Sequence, residues 1–189
     1  MINQIIRIID VLISIVVLII LFPIIFIISI FILVIDGRPV LYKQARIGYK
    51  GRQFNILKFR TMKNIILKNE KLRLTPLGKT LRKTSLDELP QFINVLRNDM
   101  SIVGPRPLPE YIEKKIKRSV KLKRRTVLPG ITGMSQINYT GKNRRLTEKL
   151  RLDLVLINNY NLYNYFKILL KTPIVLIIRF LKNKSSIIK

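Results

Sequence analysis

The 189-residue chain contains no cysteine and no histidine, and it carries only 10 aspartates and glutamates against 36 lysines and arginines. Without cysteine there is no disulfide framework and no thiolate for zinc or redox chemistry. Without histidine a Ser-His-Asp triad is excluded. Any acid/base, covalent or metal chemistry must therefore fall largely on carboxylates. Two of these scarce acids, Asp87 and Glu88, stand side by side in Ser85-Leu86-Asp87-Glu88-Leu89-Pro90-Gln91. Paired carboxylates in a chain of net charge +26 mark a candidate site for an anionic, phosphorylated substrate.

Hydrophobic residues make up 48% of the chain, which argues against disorder. High basic charge with high hydrophobicity points to nucleic acid or to an anionic membrane surface. Residues 11–35 carry no charged side chain, and about 20 apolar residues suffice to cross a bilayer as a helix. The run is too long for a signal-peptide core and lacks a small-residue cleavage site before Asp36. Pro23 sits near its middle, where proline removes an N–H and kinks the helix. Two topologies follow: a kinked spanning helix, or a re-entrant helix–break–helix that enters and leaves by one face. Only Arg7 precedes the segment, whereas Arg38, Lys43, Arg46, Lys50 and Arg52 follow it. The positive-inside rule places the C-terminal part in the cytoplasm under either topology.

The remainder reads as a small, mostly helical α/β domain. Asp36-Gly37-Arg38-Pro39 is a turn. Val40-Leu41-Tyr42-Lys43-Gln44 and Phe54-Asn55-Ile56-Leu57-Lys58-Phe59-Arg60 are extended segments around a hairpin-like turn at residues 47–52. A short basic helix is expected over residues 77–83, a second from Ser85 to about Arg97, a strongly basic one over 110–125 and another over 146–158. Gly104-Pro105-Arg106-Pro107 and Pro129-Gly130-Ile131-Thr132-Gly133 read as loops. Residues 160–182 hold two apolar stretches around Pro173, interspersed with Lys167, Lys171, Arg179 and Lys182. They read either as interfacial amphipathic helices with snorkelling lysines or as helices packed into the core.

Local pattern offers Asp87 and Glu88 a purely structural role. Ser85-x-x-Glu88 is a capping box, and Asp87 would sit in the first turn, where the helix dipole favours negative charge. The two roles are compatible, because a helix start also attracts phosphate. One carboxylate could be a nucleophile while its neighbour holds a metal or moves a proton. Lys58, Arg60, Arg82 and Arg106 read singly as solvated surface charges and together as a phosphate-binding set. Nucleic-acid binding is the main non-enzymatic alternative, but no zinc-finger, basic-zipper or RNA-recognition signature is present.

Several motifs in order carry a family resemblance. They are Lys58-Phe59-Arg60-Thr61-Met62, Arg82 with Thr84-Ser85-Leu86-Asp87-Glu88-Leu89-Pro90-Gln91, Asn94 through Pro107, and Pro129-Gly130-Ile131-Thr132-Gly133 with Gln136 and Asn138. The chain resembles the bacterial sugar transferases, the monotopic phosphoglycosyl transferases that start glycoconjugate and polysaccharide assembly on a polyprenol carrier. The resemblance implies an N-terminal membrane segment (1–36), re-entrant and broken at Phe22-Pro23. It further implies a catalytic domain (37–189) on the cytoplasmic face of the bacterial inner membrane, held there by amphipathic helices.

The implied reaction moves a phosphosugar from a UDP-sugar to undecaprenyl phosphate in two steps, through an aspartyl phosphosugar on Asp87. Glu88 would handle protons and, with Asp87, hold Mg²⁺ or Mn²⁺. Lys58, Arg60, Arg82 and Arg106 would neutralise phosphates, and Gln136 and Asn138 lie where nucleotide or sugar contacts fall. Implied partners are the sugar nucleotide, the polyprenol phosphate and anionic lipid but no nucleic acid, and a homodimer is compatible with this picture. The chain departs from the family pattern at Phe22, where a serine is usual, and at Leu128, where arginine is common and Arg124 or Arg125 compensates. Asn138-Tyr139-Thr140-Gly141-Lys142 also replaces a usual Asn-Gly-Arg. The rival readings are a membrane-associated nucleic-acid binder and a non-catalytic scaffold of the same fold.

Overall fold

A computed structural model describes residues 2–63, 73–138 and 145–185. The divergent stretch at 139–142 lies outside the described residues. Those that are described are mostly helical, with two small two-stranded sheets.

The N-terminal segment forms α1 (Ile2–Ile20) and α2 (Phe22–Phe31), continued by one π-helical turn (Ile32–Asp36). The break falls at Leu21 (φ −90°, ψ 3°), and Pro23 opens α2. A proline there is at home, because a first-turn N–H has no intrahelical partner to lose. Leu12, Val16, Ile19, Ile20, Phe22, Phe26 and Ile27 around the break are all exposed.

Both ends of this segment dock on the same body. On α1, Arg7 donates to the carbonyls of Val95 (2.6 Å) and Met100 (3.3 Å). One turn on, the buried Asp10 accepts from Ile102 N (2.9 Å) and the Tyr165 hydroxyl (2.7 Å). At the other end Ile28 and Ile32 pack on Phe59 and Leu81. There the Thr75 hydroxyl donates to Asp36 Oδ2 (2.9 Å).

β1 (Leu41–Ile47) and β2 (Gln53–Phe59) form the expected antiparallel hairpin, with Leu41 opposite Phe59 and Ile47 opposite Gln53. β2 buries Phe54, Ile56, Leu57 and Phe59. α3 (Pro76–Thr84) starts where Thr75 caps Gly78 N (2.9 Å). Gly78 is obligatory there, since a Cβ would lie 2.1 Å from the Thr61 carbonyl oxygen.

The capping box does not form. Ser85 adopts a left-handed conformation (φ 60°) that ends α3 and turns the chain into a single 3₁₀ turn (Leu86–Glu88), without a side-chain cap. α4 (Gln91–Leu96) follows. Tertiary ion pairs claim the Glu88 side chain, and the Ser85 N–H bonds instead to Arg82 O (3.4 Å).

Pro129-Gly130-Ile131-Thr132-Gly133 is not wholly a loop. Gly130–Thr132 is strand β4, parallel to β3 (Ser101–Val103). The local sequence conceals this because the pairing depends on two glycines 26 positions apart: a Cβ on Gly130 would lie 2.0 Å from Gly104 N.

The basic helix expected over 110–125 splits into α5 (Glu110–Glu113) and α6 (Arg118–Arg124). The split lets buried Glu113 reach Arg125 Nε at 3.1 Å. In one continuous helix those twelve positions would be about 18 Å apart along the axis.

α7 (Met134–Ile137) and α8 (Leu146–Asn158) lead into α9 (Leu162–Ser185), a single helix that carries Pro173 inside it rather than two pieces. Tyr165 and Ile168 anchor α9 in a core with Ile6, Phe54, Ile56, Val95, Met100, Ile102, Val103 and Leu156. Its other side exposes Tyr163, Leu170, Ile174, Ile177 and Leu181. One face of this tail is therefore packed into the core, and the other is left apolar and exposed.

Candidate active site

Two basic side chains far away in sequence converge on Glu88, and Arg82 lies close enough to Asp87 to act on its charge. Lys58 comes from β2, Asp87 and Glu88 from the 3₁₀ turn, Arg82 from the last turn of α3, and Arg106 from the loop after β3. Lys58 Nζ lies 2.5 Å and Arg106 2.7 Å from the same oxygen, Glu88 Oε1. The fully buried Asn94 aligns these elements. Its side chain donates to Asn55 O (2.8 Å) and accepts from Leu57 N (2.9 Å), which ties α4 to the strand that presents Lys58.

The two carboxylates are in opposite electrostatic situations. Burial alone would raise the pKa of Glu88, but Arg106 and Lys58 outweigh it and hold the group at about 2. Asp87 is 8% exposed. Burial, aided by the neighbouring Glu88 charge, pushes its pKa up to about 6 against the pull of Lys58, Arg82 and Arg106. Only burial and charge act on it, and no described residue donates a hydrogen bond to its carboxylate. Glu88 is thus a fixed anion, and Asp87 is an unusually basic carboxylate with its oxygens unspent. Arg82 is steadied by a bond from its Nε to Thr61 Oγ1 (2.8 Å).

Among the described residues no cluster of three or more acids lies together. The Asp87 carboxylate and Glu88 Oε2, the oxygen that neither ion pair uses, leave two hard donors. That set suits Mg²⁺, which binds one or two carboxylates and completes its octahedron with water and substrate phosphates. The residues fit a cation that arrives with a diphosphate, not one caged by protein alone.

Three other candidates sit elsewhere. The Arg60 guanidinium is buried and donates to the carbonyls of Asp36 (2.5 Å), Gly37 (2.5 Å) and Arg38 (3.1 Å). There it terminates the N-terminal apolar segment instead of facing the cluster. Gln136 accepts from the Ser135 hydroxyl (2.7 Å), and Asn138 donates to Met134 O (3.0 Å). Among the described residues neither is bonded to the Glu88 cluster.

Sequence reasoning gave no role at the Arg106 loop to the residues that hold it. Arg46 donates to Pro107 O (3.1 Å), and Arg124 donates to Arg106 O (2.6 Å) while pairing with buried Asp153. The available signal was an acid on the apolar face of α8, three residues before the buried Leu156.

The sequence profile described as bacterial sugar transferase matches residues 2–179. The chain belongs to the bacterial sugar transferase family. This sugar transferase is 44% identical over 148 residues to an uncharacterized sugar transferase, EpsL, of Bacillus subtilis, covering 72% of this chain and 69% of that one. It is 39% identical over 155 residues to the galactosyl transferase CpsE of Streptococcus agalactiae (72% and 34%). It is 35% identical over 176 residues to the UDP-glucose:undecaprenyl-phosphate glucose-1-phosphate transferase of Klebsiella pneumoniae (86% and 38%). This sugar transferase therefore spans little more than a third of the length of the latter two relatives.

Proposed function

We propose that this sugar transferase moves a phosphosugar from a UDP-sugar to a membrane polyprenol phosphate through a covalent intermediate on Asp87. The observation that carries this reading is the contrast between the two neighbouring acids. Glu88 is clamped as an anion by Lys58 and Arg106, while Asp87 keeps its oxygens free and its basicity raised. A nucleophile needs an available, basic lone pair. Several relatives are named for transfer to undecaprenyl phosphate, with UDP-glucose as the named donor in some.

In the first step an Asp87 oxygen attacks the phosphorus bonded to the sugar oxygen. The bond from that phosphorus to the bridging oxygen breaks, and UMP leaves with its electron pair. In the second step an oxygen of polyprenol phosphate attacks the same phosphorus and Asp87 departs as carboxylate. The product is a polyprenyl diphosphosugar. Lys58, Arg82 and Arg106 supply fixed positive charge where phosphate charge develops. Glu88 orders Lys58 and Arg106, and, held ionised by them, it is too weak a base to keep the acceptor's proton. A Mg²⁺ held by Asp87 and Glu88 together with the diphosphate would neutralise the leaving UMP.

The same geometry supports a membrane placement. Both ends of residues 2–36 are bonded to one domain, through Arg7 and Asp10 at one end and through Asp36 at the other. This supports a re-entrant segment whose exposed apolar tip around Leu21–Pro23 dips into one leaflet. Arg7 is the only base before residue 37, so 35 of the 36 basic residues follow it. That distribution supports placement on the cytoplasmic face of the bacterial inner membrane against anionic lipid. One substrate is then soluble and the other embedded, and a covalent relay lets each be handled in turn.

The test uses the full chain in lipid nanodiscs with Mg²⁺ and radiolabelled UDP-glucose, UDP-galactose, UDP-N-acetylglucosamine and UDP-N-acetylgalactosamine, without acceptor. Label is expected on the protein and absent in Asp87→Asn. Product formation on adding undecaprenyl phosphate, with no labelled protein beforehand, would refute the covalent route. No transfer from any donor would refute the UDP-sugar reading.

A further inference from the structure

Arg106 has to be held against Glu88 by something other than its own surroundings. It rides on a loop, Gly104-Pro105-Arg106-Pro107, that lies between β3 and α5, and its side chain remains 43% exposed. Both prolines lack an N–H, so the loop can anchor itself only through its remaining amides and its carbonyls. Its start is tied to β4, with Gly104 N donating to Thr132 O (2.9 Å) and Pro105 O accepting from Gly130 N (3.0 Å). The carbonyls of Arg106 and Pro107 are taken by two arginines from different elements. Arg124 of α6 donates to Arg106 O at 2.6 Å, and Arg46 of β1 donates to Pro107 O at 3.1 Å.

Both donors are themselves fixed. Arg124 is 7% exposed, and its other terminal nitrogen pairs with Asp153 of α8, which is 2% exposed. Arg46 is held by Gln44 Oε1 (2.5 Å) and by a backbone bridge to Pro109 just past the loop. Burial, together with the nearby charge of Arg106, pushes the pKa of Arg46 down, so the two cations sit close at some electrostatic cost. Placing two more cations behind a phosphate-binding arginine is unfavourable unless the backbone position they secure is useful.

We infer that Arg46 and the Arg124–Asp153 pair are positioning residues, a guanidinium brace that sets the backbone of Arg106 so that its side chain meets Glu88 and the donor diphosphate. This rests on the transferase reading above and adds three residues to it. None of the three is bonded to Asp87 or Glu88 among the described contacts. Their effect on catalysis passes through Arg106, and misplacing a catalytic group by about 1 Å costs on the order of 10²-fold in rate.

A double-mutant cycle on the full chain in nanodiscs decides the matter. kcat/KM is measured with undecaprenyl phosphate and whichever of the four UDP-sugars above gives transfer. The variants are Arg46→Met, Arg124→Lys, Arg106→Ala and each pair with Arg106→Ala. Arg124→Lys keeps a cation for Asp153 but loses the second donor to Arg106 O. Melting temperatures of all variants identify any that fail to fold, and Arg46→Met, at a half-buried site, serves if Arg124→Lys does not fold.

The expected result is a loss on the order of 10²-fold for each brace variant alone, falling to about threefold or less once Arg106 is alanine, because residues that act through one group are not additive. Equal fold-losses in both backgrounds would mean a general structural role and overturn the brace while leaving the transferase reading standing. Full activity of both Arg46→Met and Arg124→Lys would overturn it too. Absence of transfer by the unsubstituted chain would overturn both readings together.

Discussion

Replacing Asp87 should make the protein more stable. Asp87 is 8% exposed, and burial with the adjacent Glu88 charge lifts its pKa from 3.8 to about 6. At about 1.4 kcal/mol per pH unit, the rise means that ionised Asp87 destabilises the empty fold by about 3 kcal/mol at neutral pH. The sign is set by the direction of the shift. A carboxyl whose pKa is raised on folding contributes stability that is fully present below about pH 3.8 and lost as pH rises through about 6.

Asp87→Asn has nearly the same shape and no charge to lose. Its melting temperature should therefore exceed that of the unsubstituted chain at pH 7, and the gap should close as pH falls from about 6 to 4. For a chain of this size 1 kcal/mol is worth about 2–4 °C, so the gap at pH 7 should reach about 6–12 °C at most. Partial hydration of the carboxylate and the cost of burying an amide will trim it. The measurement is a pair of melting curves in one detergent across pH 4–7.5, where every other titration cancels in the difference. A gap that is absent or negative at pH 7, or that does not change with pH, refutes the claim that the ionised Asp87 carboxylate is held at the expense of stability.

The same pKa predicts that protein labelling by the sugar nucleotide, followed in single-turnover time courses, rises with pH through about 6 and levels off above it. Arg60→Ala should act on stability and not on chemistry. It strips the donor from three carbonyls at the end of the membrane segment, and a loss of about 1–3 kcal/mol is expected by denaturation, with kcat/KM per folded molecule little changed. Lys58→Met should lower kcat/KM by about 10–100-fold, since it removes a charge-assisted bond to Glu88 and a cation from the diphosphate site. Single cysteines at Asn3 and at Lys43, free of any native cysteine, should both react with an impermeant thiol reagent only in inverted vesicles. Reaction at Asn3 from the periplasmic side would rule out the re-entrant segment.

Much of the local structure was legible in the residues. The absence of cysteine and histidine left carboxylates as the working groups, and charge scarcity singled out Asp87 and Glu88. The apolar run, the hairpin and the helix over 146–158 each follow from patterns confined to one element, and periodicity and turn chemistry report those faithfully. What local pattern could not settle was the partner of each polar group. Glu88 looked like the second half of a capping box because Ser85 is three residues away, yet its partners are Lys58 and Arg106, 30 and 18 residues away.

Arg60 belonged by sequence with the phosphate binders, and only the return of the membrane segment to the domain shows it capping three carbonyls. The parallel strand at Gly130 needs Gly104, and the split of α5 from α6 needs Glu113 to meet Arg125. An ion pair or a close backbone approach across the fold outweighs a helical preference of a few tenths of a kcal/mol per residue. The sequence by itself therefore determined the kinds of chemistry open to this protein and most of its elements. The tertiary structure decided which acid is clamped and which is free, because that depends on charges brought together from distant parts of the chain.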